Sequence, residues 1–206
     1  MIKSNPIRRF GLGIPFIGNR FASWWRISLA VALMSVITGC QTAPKPQPSW
    51  QQTLKEQLPV MGHRNWIVIA DAAYPAQTSP GVETIYTGGR QIDVVNAVLD
   101  ALGHTRHVQP IIYLDSELEY VPEALAPGVE KYRSDLKLLL KDRQATTLPH
   151  EQIISKLDEA GRTFHVLILK TDLTIPYTSV FLRLDCGYWG AESEQQLRDA
   201  ISKSRQ

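Results

Sequence analysis

The segment Trp66-Ile67-Val68-Ile69-Ala70-Asp71 decides the fold, because five apolar residues in a row end at an acidic side chain. A short and nearly continuous apolar run predicts a β-strand that is buried on both faces. Similar runs occupy residues 110–115, 164–169 and 180–184, and residues 82–87 form a weaker candidate. Strands of this kind are typical of a sheet whose two faces are both covered.

Segments with helical periodicity separate these runs. Apolar residues recur at helical spacing over residues 92–102, and residues 127–141, 149–159 and 192–204 are further candidate helices. Strands that alternate with helices predict an α/β fold with a mostly parallel sheet and helices on both faces. Ligands of such sheets bind outside the carboxyl ends of the strands. Asp71, Asp115 and the loop at residues 171–177 fall at such ends, so we expect the functional site there.

The first 39 residues differ in composition from the rest of the chain. They contain five basic residues and no acidic residue, followed by an apolar run at residues 27–37. A basic segment, an apolar stretch and small residues at a cleavage site indicate a secretory signal. The tetrad Ile37-Thr38-Gly39-Cys40 resembles the bacterial lipobox, in which the cysteine becomes the first mature residue and carries the lipid. The sequence therefore predicts a lipoprotein signal peptide over residues 1–39 and lipidation of Cys40.

A transmembrane helix is the alternative for this segment. A helix needs about 20 apolar residues to cross the hydrocarbon core, and the run is about half that length. A lipid on Cys40 would instead hold the protein at a membrane without spanning it. Gln41 in place of Asp resembles the Gram-negative sorting pattern for the outer membrane. We expect an exported protein anchored to the cell envelope, on the periplasmic face of the outer membrane if the cell has one.

Residues 40–49 contain three prolines and predict an extended tether, after which the domain comprises residues 50–206. Without residues 1–39 the chain loses five of its 22 basic residues and none of its 20 acidic ones, which leaves a formal charge of −3. We therefore expect no nucleic-acid partner. The sequence lacks a phosphate-binding glycine loop, a dinucleotide-binding motif and a nucleophile elbow. His104 and His107 straddle a helix end and a strand start, which disfavours a metal site, so no cofactor is predicted.

His63 and Asp71 flank the first predicted strand and are candidates for acid–base chemistry. A strand of six residues spans roughly 20 Å, so the two side chains cannot meet within one chain if the strand is straight. Taken alone, His63 is also compatible with a helix cap or a loop residue. Asp71 alone is equally compatible with a solvated strand end.

Six short segments follow one another in a recognisable order. They are Met61-Gly62-His63, Ile67-Val68-Ile69-Ala70-Asp71-Ala72, Tyr74-Pro75, Arg90-Gln91-Ile92-Asp93, His150-Glu151-Gln152 and Tyr177-Thr178-Ser179. Together they resemble the ribose pyranase and fucose mutarotase family over about residues 53–188. The His-Glu-Gln segment resembles the pyranase branch, and the last segment resembles a Tyr-x-Asn motif.

The resemblance implies an isomerase that interconverts anomers or ring forms of a free monosaccharide, without a metal or a redox cofactor. It implies that His63 donates a proton and that Asp71 binds sugar hydroxyls or holds an imidazole. It also implies that His150 contacts the sugar or shares the proton transfer, and that Tyr177 and Ser179 bind hydroxyls. The family resembles ring-shaped homo-oligomers with sites between subunits, so His63 of one chain would work with residues of another.

Departures from the family pattern keep other functions open. Ser179 replaces the asparagine, Ala73 stands where the fucose branch has a second histidine, and an arginine of that branch has no clear counterpart. A non-catalytic lipoprotein that binds a monosaccharide or assists its transport is therefore the main alternative, and a purely structural envelope protein is another. The retention of His63, Asp71 and His150 favours the enzyme.

Overall fold

The computed structural model describes residues 49–205. The signal peptide predicted for residues 1–39, the lipidation site Cys40 and most of the predicted tether lie outside these residues. Within them the chain forms six strands and five α-helices. The strands are β1 Trp66–Ala70, β2 Val82–Tyr86, β3 Val108–Asp115, β4 Ala145–Leu148, β5 Val166–Lys170 and β6 Val180–Cys186. The helices are α1 Trp50–Gln57, α2 Gln91–Gly103, α3 Val129–Leu139, α4 His150–Gly161 and α5 Ala191–Lys203.

The strands form one sheet in the order β2-β5-β1-β6-β3-β4. β5 is parallel to both β1 and β2, and β3 is parallel to β4, whereas β6 runs antiparallel between β1 and β3. Five strands therefore share one direction. The predicted fold class, an α/β domain with a mostly parallel sheet, is confirmed.

Helices cover both faces of the sheet. Successive residues of each central strand point to opposite sides, so the apolar side chains of these strands must be buried on both faces. Ile67 and Ile69 of β1 pack in a cluster with buried residues of α1, α2 and α3. Val68 and Ala70 of β1 pack in a second cluster with buried residues of α4. All five residues of β1 are buried, which explains why its sequence shows no apolar–polar alternation.

Two elements were not predicted from the sequence. β4 has the sequence Ala-Thr-Thr-Leu and is mostly exposed at the edge of the sheet, so it has no apolar run to reveal it. α1 is a polar helix with one buried residue, Leu54, and its first turn is capped by the Ser49 hydroxyl. α3 also begins two residues later than the predicted helix, after Gly128, which has a φ of +93°. The predicted boundaries of the other helices agree to within about two residues, the usual uncertainty.

β1, β3 and β4 all terminate at the same end of the sheet, which we call the carboxyl end, and β6 begins there. Because β6 runs antiparallel between β1 and β3, the strand order is interrupted there. Crevices at such interruptions are the usual ligand sites of open α/β sheets. No helix within residues 49–205 combines the length and the apolar character needed to span a membrane.

Candidate functional site

A cavity of about 290 Å³ opens at the carboxyl end of the sheet. Its size is at the lower end of the range of small-molecule sites. Its polar lining residues include Asp71, Gln77, His150 and Tyr177. Its apolar lining comprises Ala73, Tyr74, Pro75, Ile154 and Pro176. A few polar groups within an apolar wall can orient a small polar ligand.

Asp71 is fixed at the end of β1 by hydrogen bonds to both of its carboxylate oxygens. Oδ1 accepts from the backbone N–H of Ala73 at 2.9 Å, in a local turn that aspartate favours. Oδ2 accepts from the Ser179 hydroxyl at 3.0 Å. The carboxylate is therefore held in one orientation beside the cavity.

Ser179 lies behind the cavity and does not line it. It is only 2% exposed, and its Oγ also accepts from the backbone N–H of Asp71 at 3.3 Å. In this geometry Ser179 orients Asp71. The predicted direct contact between Ser179 and a sugar hydroxyl stays a prediction.

His150 is the first residue of α4 and has two carboxylate partners. Its backbone N–H donates to the Glu117 carboxylate at 3.0 and 3.1 Å. Its ring Nδ1 lies 3.1 Å from Asp115 Oδ2. An ionised carboxylate can only accept, so Nδ1 carries the proton when Asp115 is charged. The other ring nitrogen, Nε2, is then the basic one.

Asp115 ends β3 and its side chain is completely buried. Burial raises the pKa of this carboxyl from 3.8 to about 6, although the hydrogen bond and the charge of His150 act in the opposite direction. The carboxylates of Glu117 and Asp71 raise it further. Its second oxygen, Oδ1, has no hydrogen-bond partner within residues 49–205. The sequence placed Asp115 at a strand end but gave no sign that it contacts His150.

Tyr177 places its ring edge-on to the His150 ring, with the centroids 5.5 Å apart. Its backbone has a φ of +59°, which is uncommon for a residue other than glycine. Backbone strain of this kind often occurs at functional sites. Tyr74, which also lines the cavity, is buried, and burial raises the pKa of its hydroxyl well above the usual value.

His63 lies at the opposite end of β1. Its side chain is 58% exposed, and Nε2 lies 3.8 Å from Asp185 Oδ1 near the end of β6. A strand of five residues spans roughly 17 Å. The structure thus brings Asp71, His150 and Tyr177 together at one cavity. His63 of the same chain lies at the opposite end of the sheet.

A buried hydrogen-bond network lies beneath the cavity. The Gln91 side-chain amide donates to the carbonyls of Ile69 at 3.0 Å and Thr178 at 2.9 Å. The Thr171 hydroxyl donates to the Gln91 side-chain oxygen, and the Tyr132 hydroxyl donates to the Thr178 carbonyl at 2.6 Å. The network links the end of β1, the loop after β5 and the start of β6. It gives the Arg90-Gln91-Ile92-Asp93 segment a structural role.

The described residues hold no cluster of three or more His, Cys, Asp or Glu side chains suited to a metal ion. Asp115, His150 and Asp71 are arranged for hydrogen bonding and proton transfer. Such a site can bind a polyhydroxylated ligand and exchange protons with it.

The chain is similar to a known protein family and to several solved structures. Residues 45–186 match the model of the RbsD / FucU transport protein family. Bacillus subtilis RbsD complexed with D-ribose is 19% identical, with a TM-score of 0.48, covering 68% of this chain and 97% of that one. The fucose mutarotase of Streptococcus pneumoniae in complex with L-fucose is 17% identical, with a TM-score of 0.44, covering 65% and 91%.

FucU from Bifidobacterium longum is also 17% identical, with a TM-score of 0.44, covering 65% of this chain and 92% of that one. No curated protein sequence matches the chain. The family model extends over the sheet and the cavity and ends at the last residue of β6, before α5. On the extent of this match, the chain belongs to the RbsD / FucU transport protein family.

Proposed function

We propose that this protein is a monosaccharide mutarotase or pyranase, which interconverts the anomers or ring forms of a ribose- or fucose-like sugar. Family membership supports this proposal at the level of the family. The observation that carries it is the His150 imidazole, paired with a buried carboxylate and facing a small cavity that Asp71 also lines. The reaction needs only positioned groups that take up and release protons.

Ring opening requires two proton transfers. A base removes the proton of the anomeric hydroxyl, an acid protonates the ring oxygen, and the bond between the anomeric carbon and that oxygen breaks to give the open-chain aldehyde. Rotation and the reverse steps close the ring as the other anomer or ring form. His150 Nε2 serves as the base, and Asp71 accepts hydrogen bonds from sugar hydroxyls. Imidazole suits both directions because its ordinary pKa lies near 6.5.

His63 serves as the proton donor of a neighbouring copy of the chain. Within one chain it lies at the opposite end of the sheet from His150, so it can reach the cavity of another copy only in a homo-oligomer. Its side chain is more than half exposed and therefore accessible to a neighbour. The functional unit of the proposal is accordingly an assembly whose sites lie between subunits.

Saturation-transfer NMR on the purified protein tests the activity with ribose, fucose and other free monosaccharides. Saturating the anomeric proton of one form should transfer to the other form faster than in the sugar alone. His150→Ala should slow this exchange by about 10²-fold or more, the usual contribution of general acid–base catalysis. His104→Ala is the matched control, because that histidine is 79% exposed and outside the cavity, and it should leave the rate unchanged.

A sugar-binding protein without catalysis is the second candidate. Ser179 favours it, because the hydroxyl is buried against Asp71 and leaves the cavity with one polar contact fewer than the family motif implies. Calorimetric binding of a sugar whose anomers exchange only at the spontaneous rate would establish this function. Neither binding nor exchange with any sugar would leave a structural role in the envelope.

We further propose that the protein is exported and anchored through a lipid on Cys40, which would place the site at the cell envelope. The support is the basic, acid-free segment before the lipobox-like tetrad. Mass spectrometry of the mature N-terminal peptide should find Cys40 as the first residue, carrying the lipid. A mature protein that retains residues 1–39 would contradict this.

A further inference from the structure

Asp115 is a buried carboxyl group at the end of β3, and its position at a strand end does not by itself indicate what it does. Its side chain is fully buried, its Oδ2 lies 3.1 Å from His150 Nδ1, and its Oδ1 has no partner within the described residues. Burying a carboxylate without full hydrogen bonding is costly, so a fold has no structural reason to keep one here. An apolar residue at the same position would fill the space without this cost.

We infer that Asp115 is a positioning residue for the reaction, which holds His150 as the Nδ1-protonated tautomer with Nε2 directed to the substrate. The inference rests on the proposed function and deepens it by assigning the group that controls the base. Asp115 does not line the cavity, so it acts through His150 and not on the sugar.

Three contacts fix the imidazole. Glu117 accepts from the His150 backbone N–H, Asp115 is paired with Nδ1, and Tyr177 packs edge-on against the ring. Turning the ring over would break the contact with Asp115 and leave that carboxylate without a hydrogen-bond partner among residues 49–205. The geometry therefore selects one ring orientation and, while Asp115 is ionised, one tautomer.

The charges around His150 also favour its working as a base. When Nε2 takes a proton from the anomeric hydroxyl, the ring becomes positively charged at the N-terminus of α4, where the helix dipole disfavours a cation. The nearby carboxylates are Asp115 from the end of β3, Glu117 after it, Asp71 from the end of β1, and Glu151, which follows His150 on α4 and lines the cavity. The Tyr74 and Tyr177 hydroxyls lie in the same region, Lys170 Nζ donates to the Tyr74 carbonyl at 2.7 Å, and the charge of Asp158 acts on Tyr74. Of the carboxylates, Asp115 is in direct contact with the ring.

The test combines ¹⁵N NMR of the histidine rings with exchange kinetics of the whole protein. In the wild type, the His150 signals, assigned by their loss in His150→Ala, should show a protonated Nδ1 and an unprotonated Nε2 near pH 8. In Asp115→Asn the amide can donate to Nδ1, so the Nε2-protonated tautomer should appear. The exchange rate should then fall by about 10²-fold or more at nearly unchanged KM.

Asp93→Asn is the matched control, because it changes another aspartate to its amide on the surface of α2, and it should change neither readout. Glu117→Gln separates capping of α4 from control of the ring. It should lower the melting temperature while the tautomer of His150 stays as in the wild type.

Two results would overturn the inference: a wild-type His150 protonated on Nε2, or an Asp115→Asn protein with unchanged tautomer and exchange within about threefold of the wild type. The first is read from the wild type alone, so it decides the matter even if the variant does not fold. Wild-type protein without exchange on any sugar would instead overturn the proposed function. The ring signals would then still decide whether Asp115 sets the tautomer.

Discussion

At the residue scale, Asp115 combines a cost in stability with a predicted benefit in function. Folding raises its pKa from 3.8 to about 6, chiefly through burial, so the folded state disfavours the charged form. The stability that the protonated group contributes is present in full below pH 3.8. It is lost as the pH rises through 6.

We therefore expect Asp115→Asn to gain stability relative to the wild type as the pH increases. The difference in unfolding free energy between the two proteins should grow by about 2–3 kcal/mol from pH 3 to pH 8, the equivalent of a shift of about two pKa units. Chemical denaturation across this pH range measures it, with Asp93→Asn as the surface control. A difference that does not change with pH would show that Asp115 has the same pKa in both states.

The candidate residues were predictable from the sequence to different degrees. Asp71 and His150 stand in short motifs whose order resembles a known family, so both could be named before their positions were known. The contact between His150 and Asp115 joins residues 35 positions apart and carries no local signal. The orienting role of Ser179 was equally hidden, because it depends on a partner 108 residues away.

At the scale of elements, the strand β4, which the sequence does not predict, explains why the contact between His150 and Asp115 could not be foreseen. β4 pairs in parallel with β3, and Leu148 stands opposite Asp115. This register delivers His150, two residues later, to the side chain of Asp115. β1, β5 and β6 were predictable because each is a buried apolar run, whereas a short exposed edge strand rich in threonine has no such pattern.

The buried network at the start of α2 provides a test at the same scale. Gln91→Leu removes the donor to the Ile69 and Thr178 carbonyls while keeping a similar volume. We expect a loss of roughly 1–3 kcal/mol in unfolding free energy, because the Ile69 carbonyl loses its buried side-chain donor, whereas the Thr178 carbonyl keeps the Tyr132 hydroxyl. Amide hydrogen exchange at Thr171 and at the start of β6 should accelerate.

Gln152→Leu is the control for this change, since that glutamine is exposed on α4 and outside the network. The free energies come from chemical denaturation of both variants. Equal stabilities for the two variants would show that the network contributes nothing to the fold.

At the scale of the whole molecule, the proposed base and the proposed proton donor of one chain lie at opposite ends of its sheet. His150 and Asp71 line the cavity at the carboxyl ends of the parallel strands, and His63 lies at their amino ends. The apolar strands predicted this layout, because His63 precedes β1 and Asp71 follows it. The sequence of one chain cannot show which surfaces of two copies meet.

Complementation between inactive variants tests whether two copies share a site. His63→Ala and His150→Ala should each slow exchange by about 10²-fold or more, since each removes one partner from every site. Co-expressed in equal amounts, they should recover activity, because a site that takes His63 from one copy and His150 from another is intact in about a quarter of random pairings of a symmetric assembly. Mixtures of His104→Ala with His150→Ala should retain about half of the activity. Mixed oligomers that form without recovering exchange would show that His63 is not the proton donor of a neighbouring copy.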